Sequence, residues 1–314
     1  MQFSRVYFYF FRHYKIPVNM RLLNLLTIIF VISYLASCIG GKQITTTMQN
    51  GQTFWQEGQY EQALKSWEEV IVYYEKKDEQ KECPVYAKAA GAAYKLGKTE
   101  KTISYLIMNQ NSDYANADTY YDLAGLYKLT DNLSKELEEL EAYVEKFPEG
   151  DKLTEVHIRL FEIYVEIKSW EKAGNVWQKI PDLNKSNTVI LEKYFLLNKA
   201  LDNDSVCDAT AGILLQYDES NLTGLEWLAK KYFWQAEHYY HSQLKAYENN
   251  KTVKQYKKLL KALDEVTVDF KTSLGYFERL YILEPNPATA KYMGDIYYRL
   301  DDDKKAEYYY NLAE

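Results

Sequence analysis

The sequence predicts an all-α protein built from helical hairpins, and three observations support this fold class. Only 13 glycines and 6 prolines interrupt 314 residues, fewer than a protein rich in turns requires. Pairs of mostly small residues recur along the chain at a spacing of twelve, with Glu136, Phe161 and Phe195 as departures. Two long segments near the C-terminus carry apolar residues at alternating steps of three and four. Together these patterns predict an elongated array of paired helices that includes one enlarged hairpin.

The first element in chain order is the apolar segment Leu22–Ser37, which follows Arg21. A basic start, an apolar middle and small residues at the end are typical of a secretory signal peptide. The segment ends in Leu35-Ala36-Ser37-Cys38, which resembles a bacterial lipobox. This resemblance implies that Cys38 becomes the lipidated first residue of the mature protein.

The expected N-terminal organisation is therefore a signal peptide over 1–37 and a lipidated cysteine with a tether over 38–43. Met20 offers a second start, so that 1–19 is an over-extended gene start by hypothesis. A transmembrane anchor is the alternative reading of the apolar segment. Ile39, by resemblance to an enterobacterial sorting rule, implies the outer membrane. The absence of a run resembling the surface-export signal of Bacteroidetes lipoproteins favours the periplasmic face.

The segment 51–75 contains Gly51, Gly58, Tyr60, Ala63 and Trp67. Small residues on two successive helices allow close approach of their backbones, and large residues fill the remaining grooves. The pattern resembles a tetratricopeptide repeat (TPR), a helix–turn–helix unit of about 34 residues. This resemblance implies a right-handed α-solenoid of TPR hairpins.

The twelve-residue pairing continues down the chain. The pairs are Gly51/Ala63, Ala90/Thr102, Ala124/Glu136, Phe161/Ala173, Phe195/Cys207 and Gly294/Ala306. One step between successive second-helix positions, from Cys207 to Ser273, is doubled. We therefore expect TPR-like repeats one to five over 44–222, an enlarged hairpin over 223–284 and a C-terminal TPR over 285–314.

Two heptad-spaced seams predict that the enlarged hairpin is an antiparallel coiled coil that projects from the array. The expected inward residues are Leu225, Ala229, Tyr232, Ala236, Tyr239, Gln243 and Ala246 on the first arm. On the second arm they are Val253, Tyr256, Leu260, Leu263, Thr267, Phe270, Leu274, Phe277 and Tyr281.

Resemblance to TPR proteins implies a concave groove lined by the first helix of each repeat. The matching positions are Gln52, Trp55, Gln56, Tyr94, Lys95, Tyr121, Lys128, Glu162, Glu166, Asp295, Tyr298 and Arg299. Aromatic side chains mixed with both charge signs suit a protein or peptide partner. The alternative for each position is an ordinary solvated helix face.

A second candidate surface is the basic tip of the enlarged hairpin. It contains Lys245, Lys251, Lys254, Lys257, Lys258 and Lys261, with Glu248 as the one acid between the first and last of them. Such a tip could contact anionic headgroups or an acidic partner surface. The alternative is a charged, soluble loop.

Charge excludes some function classes. The first 38 residues hold four basic residues and no acid, so their removal leaves 34 basic against 45 acidic residues, or −11. That balance disfavours nucleic-acid binding.

His238 and His241 lack a third ligand, so no metal and no cofactor is expected. Cys83 and Cys207 are expected to remain unpaired. Asp204-Ser205-Val206 resembles a Bacteroidetes O-glycosylation acceptor.

The sequence therefore predicts a non-enzymatic, membrane-anchored scaffold lipoprotein that binds an envelope protein or peptide in its groove. The resemblance is to TPR lipoproteins of Gram-negative, Bacteroidetes-like bacteria with roles in envelope assembly or secretion. The alternative is a glycan-capturing lipoprotein that resembles the SusD type, which would require a compact cluster of Trp and Tyr rings. An enzyme would require a buried ionisable pair, and no two acids stand in apolar surroundings.

Overall fold

The computed structural model describes residues 42–314, and every regular element within that range is helical. The predicted signal peptide and Cys38 lie outside the described residues. The predicted tether overlaps the first described helix at Lys42 and Gln43. Across 42–314, all helices are too short or too polar to cross a bilayer.

The chain divides into two compact units, one ending at Phe147 and the other covering Pro148–Glu314. Unit 1 contains α1 (42–56), α2 (Tyr60–Glu75), α3 (Tyr86–Lys95), α4 (Thr99–Gln110), α5 (Ala117–Leu129) and α6 (Leu133–Lys146). Unit 2 contains α7 (Leu153–Glu166), α8 (Trp170–Trp177), α9 (Thr188–Ala200), α10 (Asp204–Tyr217), α11 (Leu222–Asn249), α12 (Val253–Leu283), α13 (Pro287–Arg299) and α14 (Asp303–Ala313). Each consecutive pair from α1/α2 to α13/α14 is a helical hairpin, so the prediction of an all-α fold of TPR-like hairpins is confirmed.

The predicted twelve-residue pairs occupy the helix–helix contacts of six hairpins. All twelve residues are buried. Cys207 is one of them, and its thiol lies 3.8 Å from the carbonyl oxygen of Phe195. Close backbone approach at these positions is what selects glycine, alanine, threonine or cysteine in most of them.

Residues sixteen apart in a hairpin also face each other, and in two hairpins a glycine at the first position faces a large ring at the second. A Cβ added to Gly51 would lie 2.5 Å from Trp67 Nε1, and one added to Gly294 would lie 2.7 Å from the Tyr310 ring. The order is reversed in the α9/α10 hairpin, where Phe195 and Ala211 belong to the same buried cluster. These three hairpin cores therefore accommodate one large side chain at either of two places, because protein interiors leave little free volume. The α7/α8 hairpin differs, since Phe161 and Trp177 are both large and pack with ring centroids 5.1 Å apart.

The six hairpins with twelve-residue pairs share one turn geometry. The residue seven positions after the first core residue has a positive φ, between 51° and 74°. These residues are Gly58, Gly97, Asp131, Lys168, Asp202 and Asp301. The next amide in each turn donates to a carbonyl five residues earlier at 2.7–2.9 Å. This is the Schellman closure of a helix C-terminus, and it fixes the spacing of the pairs.

Lys168 offers a test of this turn, since among these six left-handed residues it alone is neither glycine nor aspartate. Lys168→Gly is expected to stabilise unit 2 by about 0.5 kcal/mol, because relief of left-handed strain exceeds the entropic cost of glycine. Gly97→Ala is the matched control and is expected to destabilise unit 1 by about 1 kcal/mol. Urea unfolding measures both variants. Equal unfolding midpoints for Lys168→Gly and the wild type would show that Lys168 is not strained in its left-handed conformation.

The α11/α12 hairpin is the enlarged one, with helices of 28 and 31 residues. Its arms are joined by the Ser273 hydroxyl, which donates to the carbonyl of Ala229 at 2.7 Å. Both residues are fully buried. The prediction of a single enlarged hairpin near the C-terminus is confirmed.

The predicted seam of α12 is wrong in its distal half. Leu259, Ala262 and Val266 are the buried residues there. The predicted seam residues Val253, Tyr256, Leu260 and Leu263 are 73%, 47%, 45% and 36% exposed. The contact face is rotated by one residue, or about 100° on a helix. From Phe270 onward the predicted and observed seams coincide at Leu274 and Phe277.

Candidate partner-binding groove

A groove of about 550 Å³ lies in unit 1 between α3 and α5, above α4. We call it the unit 1 groove. Its lining combines small and apolar residues with two tyrosines and two aspartates. The lining residues are Ala87, Ala90, Gly91, Tyr94, Thr102, Leu106, Asn116, Asp118, Thr119, Tyr121, Asp122, Gly125, Leu126 and Leu129. An apolar depression with a few polar groups at its edge is the usual form of a recognition site.

A capping box sets the start of α5 and hence the position of its acids. The amide of Thr119 donates to Asn116 Oδ1 at 3.1 Å, and the amide of Asn116 donates to Thr119 Oγ1 at 3.3 Å. Asn109 Nδ2 also donates to Thr119 Oγ1 at 2.7 Å, which joins α5 to the end of α4. Asp118 therefore lies in the first turn, and Asp122 lies one turn later on the same face.

The unit 1 groove is electrostatically acidic. Desolvation by its walls raises the pKa of Asp122, and the negative charge of Asp118 raises it further. Neither carboxylate forms an ion pair within 42–314. Two adjacent acids without a cationic partner disfavour each other's ionised form. This arrangement is complementary to a positively charged group brought in from outside.

Unit 2 has two adjoining depressions, of about 610 Å³ and 550 Å³, which share Trp234. Many of their charged groups are engaged with neighbours in the same unit. Lys231 Nζ lies 2.7 Å from Asp208 Oδ2, and Trp227 Nε1 donates to Asp208 Oδ1 at 2.8 Å. Arg299 forms two hydrogen bonds with Glu237. These charges stabilise helix packing and leave less for a ligand than those of the unit 1 groove.

The structure distributes the predicted groove residues among different roles. Tyr94 and Tyr121 both line the unit 1 groove. Asp295, Tyr298 and Arg299 line one unit 2 depression, where Asp295 accepts a hydrogen bond from Tyr310 at 2.9 Å.

The remaining predicted positions line neither of these sites. Trp55 packs against the rings of Tyr60 and Trp67, with centroids 5.1 Å and 6.0 Å away, so its role is in the core. Glu162 pairs with Arg159 at 3.0 Å. Gln52 is half-buried, and the exposed positions are Gln56, Lys95, Lys128 and Glu166.

Sequence reasoning missed Asp118, Asp122, Trp234 and Lys291. The spacing of Asp118 and Asp122, four apart on the helix that carries Tyr121, was a usable signal. Trp234 is 48% exposed on α11.

His238 and His241 have ordinary helix contacts. His241 Nε2 lies 3.1 Å from Glu237 Oε2, and the His238 ring packs near Trp234. Within the described part of the chain, histidine, cysteine and acidic side chains form no group able to hold a metal ion. Cys83 and Cys207 are both buried free thiols.

The basic tip lies at the end of α11, in the following turn and at the start of α12. Lys261 is near Glu265, at 3.7 Å between exposed side chains. The other five lysines, Lys245, Lys251, Lys254, Lys257 and Lys258, form no ion pair with any described residue.

No family model and no curated protein matches this chain. Among solved structures, a tetratricopeptide repeat protein from Parabacteroides merdae is 14% identical with a TM-score of 0.42, and the match covers 87% of this chain and 92% of that one. A putative protein binding protein from Bacteroides ovatus is 13% identical with a TM-score of 0.47, covering 60% and 100%. The C-terminal part of a TPR repeat-containing protein from Cytophaga hutchinsonii is 11% identical with a TM-score of 0.45, covering 85% and 93%. These likenesses concern architecture.

Proposed function

We propose that this chain is a membrane-anchored scaffold whose unit 1 groove binds a basic segment of a partner protein. The observation that carries the proposal is the pair Asp118 and Asp122, which have no cationic partner at the edge of an apolar groove. A partner lysine or arginine would supply the missing charge, and an apolar partner side chain would fill the floor at Gly91 and Leu106. Charge-assisted contacts of this kind fix register and specificity.

The tyrosines support a peptide ligand. Tyr94 is 57% exposed, although a large apolar ring gains free energy when it is covered. Leu129, at the other end of the groove, is 73% exposed. Exposed aromatic and aliphatic groups around a depression are typical anchors of protein interfaces.

The anchored, envelope part of the proposal comes from the sequence. The lipobox-like segment ending at Cys38 supports a lipid anchor. Ile39 supports the outer membrane, and the lack of a run resembling a surface-export signal after Cys38 favours the periplasmic face. Incorporation of labelled palmitate by the wild type, and its loss in Cys38→Ala, tests the anchor separately from the groove.

The groove is tested with two synthetic peptides composed of leucine and alanine with either lysine or glutamate. We expect the full chain to bind the lysine peptide and not the glutamate peptide. Asp118→Asn/Asp122→Asn is expected to weaken binding about tenfold, because each exposed charge pair contributes up to about 1 kcal/mol. Glu100→Gln, an exposed acid on α4, is the matched control.

Asp122→Asn also tests whether the acid serves binding at the expense of stability. Because the pKa of Asp122 is raised in the folded state, the folded protein binds more protons than the unfolded one, and its stability falls as pH rises through that pKa. The substitution should therefore increase the thermal midpoint at neutral pH while weakening peptide binding.

Unchanged affinity in the double variant, or equal binding of the glutamate peptide, would contradict the proposal. Binding of an envelope polysaccharide instead would favour the glycan-capturing alternative.

A further inference from the structure

The distal half of α12 carries an apolar stripe that its own hairpin leaves largely uncovered, apart from the contact of Tyr256 with Tyr247 on α11. Val253, Tyr256, Leu260 and Leu263 recur at steps of three and four, so they lie along one face of the helix. All four are exposed, while the adjacent face with Leu259 packs on α11. We call these four residues the tip stripe. An uncovered row of large side chains is unusual on a soluble surface unless something binds there.

Lysines of the basic tip flank this stripe along one side of α12. Lys257 and Lys261 directly follow Tyr256 and Leu260, which places them about 100° round the helix from those residues. From Lys245 to Lys261 the charge is six lysines against Glu248, or +5. Since five of the six lysines have no ion-pair partner among the described residues, the positive charge is available to a ligand.

We propose that the hairpin tip is a contact site for an anionic lipid surface. A helix with an apolar row beside lysines lies in the boundary between headgroups and acyl chains, where the apolar row is buried and the lysines reach the phosphates. Tyr247 and Tyr256, whose ring centroids are 5.7 Å apart at the tip, have the apolar body and polar end that favour this boundary.

Charge complementarity distinguishes lipid from the other possible occupants. Pairing of two identical tips would bring positive charges of +5 together, which opposes a second copy of this chain. An acidic protein surface is usually recognised through arginine, whose planar group binds carboxylates at two points. The tip from Lys245 to Lys261 contains lysine and no arginine. Lysine acts as a point charge on a flexible stem, which suits the diffuse charge of headgroups.

The test places an environment-sensitive fluorescent amino acid at Asn250, in the turn of the hairpin, in the full chain reconstituted into vesicles. The same label at Glu307, an exposed position on α14, is the control for position. We expect a blue shift, and quenching by a lipid-borne quencher, for the Asn250 label in phosphatidylglycerol vesicles and not in phosphatidylcholine vesicles. The Glu307 label should not respond.

Two pairs of variants separate charge from apolar contact. Lys257→Gln/Lys258→Gln should abolish most of the shift, whereas Lys65→Gln/Lys88→Gln, two exposed lysines in unit 1, should leave it unchanged. Tyr256→Ser/Leu260→Ser should abolish the quenching, because the stripe would no longer enter the acyl boundary.

Three results would overturn the proposal. In the first, the Asn250 label keeps its aqueous emission in phosphatidylglycerol vesicles. In the second, its emission shifts with protein concentration in the absence of lipid. In the third, its emission shifts only on addition of polyglutamate. The second result would indicate a second copy of the chain, and the third an acidic protein surface. Since the label and the variants lie outside the unit 1 groove, failure here is distinguishable from failure of peptide binding.

Discussion

Gly51→Phe is expected to lower the free energy of unfolding of unit 1 by more than about 2 kcal/mol, because the core has no room for the added ring. The Cβ alone would lie 2.5 Å from Trp67 Nε1 and 2.8 Å from Cδ1. Trp67 is 1% exposed and cannot turn towards solvent. Trp67→Ala alone is expected to cost about 3–5 kcal/mol through the cavity it leaves.

The double variant Gly51→Phe/Trp67→Ala tests the size balance itself. It would place the large residue first and the small residue sixteen positions later, as Phe195 and Ala211 are placed in the α9/α10 hairpin. We expect its loss of stability to be about half the sum of the two single losses, since residues in contact do not add independently. Gly275→Phe is the matched control, because a Cβ there meets no atom within 4 Å. Urea unfolding followed by far-UV circular dichroism measures the losses, and strict additivity would show that the two positions do not share one space.

The second large effect is expected at the ion pair between α11 and α13. Arg299 Nε and Nη2 donate to Glu237 Oε1 and Oε2 at 2.7 Å and 2.9 Å. The Glu237 side chain is 11% exposed and that of Arg299 is 30% exposed. Arg299→Met is expected to destabilise unit 2 by about 2–4 kcal/mol, somewhat less than for a fully buried pair, because it leaves a desolvated carboxylate with His241 as its remaining contact.

Removal of both charges distinguishes the net contribution of the ion pair to stability from the penalty of leaving one charge unpaired. Arg299→Met/Glu237→Leu should restore most of the stability that the single variant loses, since an apolar pair of similar volume often replaces a buried ion pair without loss. Arg299→Lys should restore little, because lysine cannot donate two parallel hydrogen bonds to one carboxylate. Hydrogen exchange of the α13 amides locates the effect. A double variant as unstable as Arg299→Met would show that the pair contributes through more than mutual neutralisation.

The hairpin cores were predictable because contact between two backbones restricts residue size at fixed spacing. The pair Phe195/Cys207 has the same spacing as Gly51/Ala63, and Cys207 follows the size rule, whereas Phe195 departs from it. The seam of α12 was not predictable, since Tyr256, Leu260 and Leu263 form one apolar row and Leu259, Ala262 and Val266 form another. Periodicity describes both rows equally well, and the choice between them depends on the facing surface of α11.

The candidate groove was predictable in part. Tyr94 and Tyr121 follow from the repeat register, and the structure places them in one depression. Whether a charge is available to a partner does not follow from register. Arg299 looks available in the sequence, but Glu237, sixty-two residues away in the chain, already binds it. Asp118 and Asp122 are distinguished by the absence of such a partner among the described residues, which requires coordinates.

The contrast between the six hairpins with a left-handed turn and the α11/α12 hairpin has a consequence for the order of folding. In an ordinary hairpin the contacting residues are 12 apart, as for Phe195 and Cys207, whereas Ala229 and Ser273 are 44 apart. Direct closure of the 44-residue contact costs about 1.1 kcal/mol more loop entropy than closure of a 12-residue contact, so the arms are expected to pair progressively from the tip, where Tyr247 contacts Tyr256. The ordinary hairpins are therefore expected to complete their cores first, and the ends of α11 and α12 that are far from the tip to pair last while the chain folds. During that interval the apolar faces of both arms are exposed, which makes this hairpin the part of the chain most dependent on rapid pairing or protection.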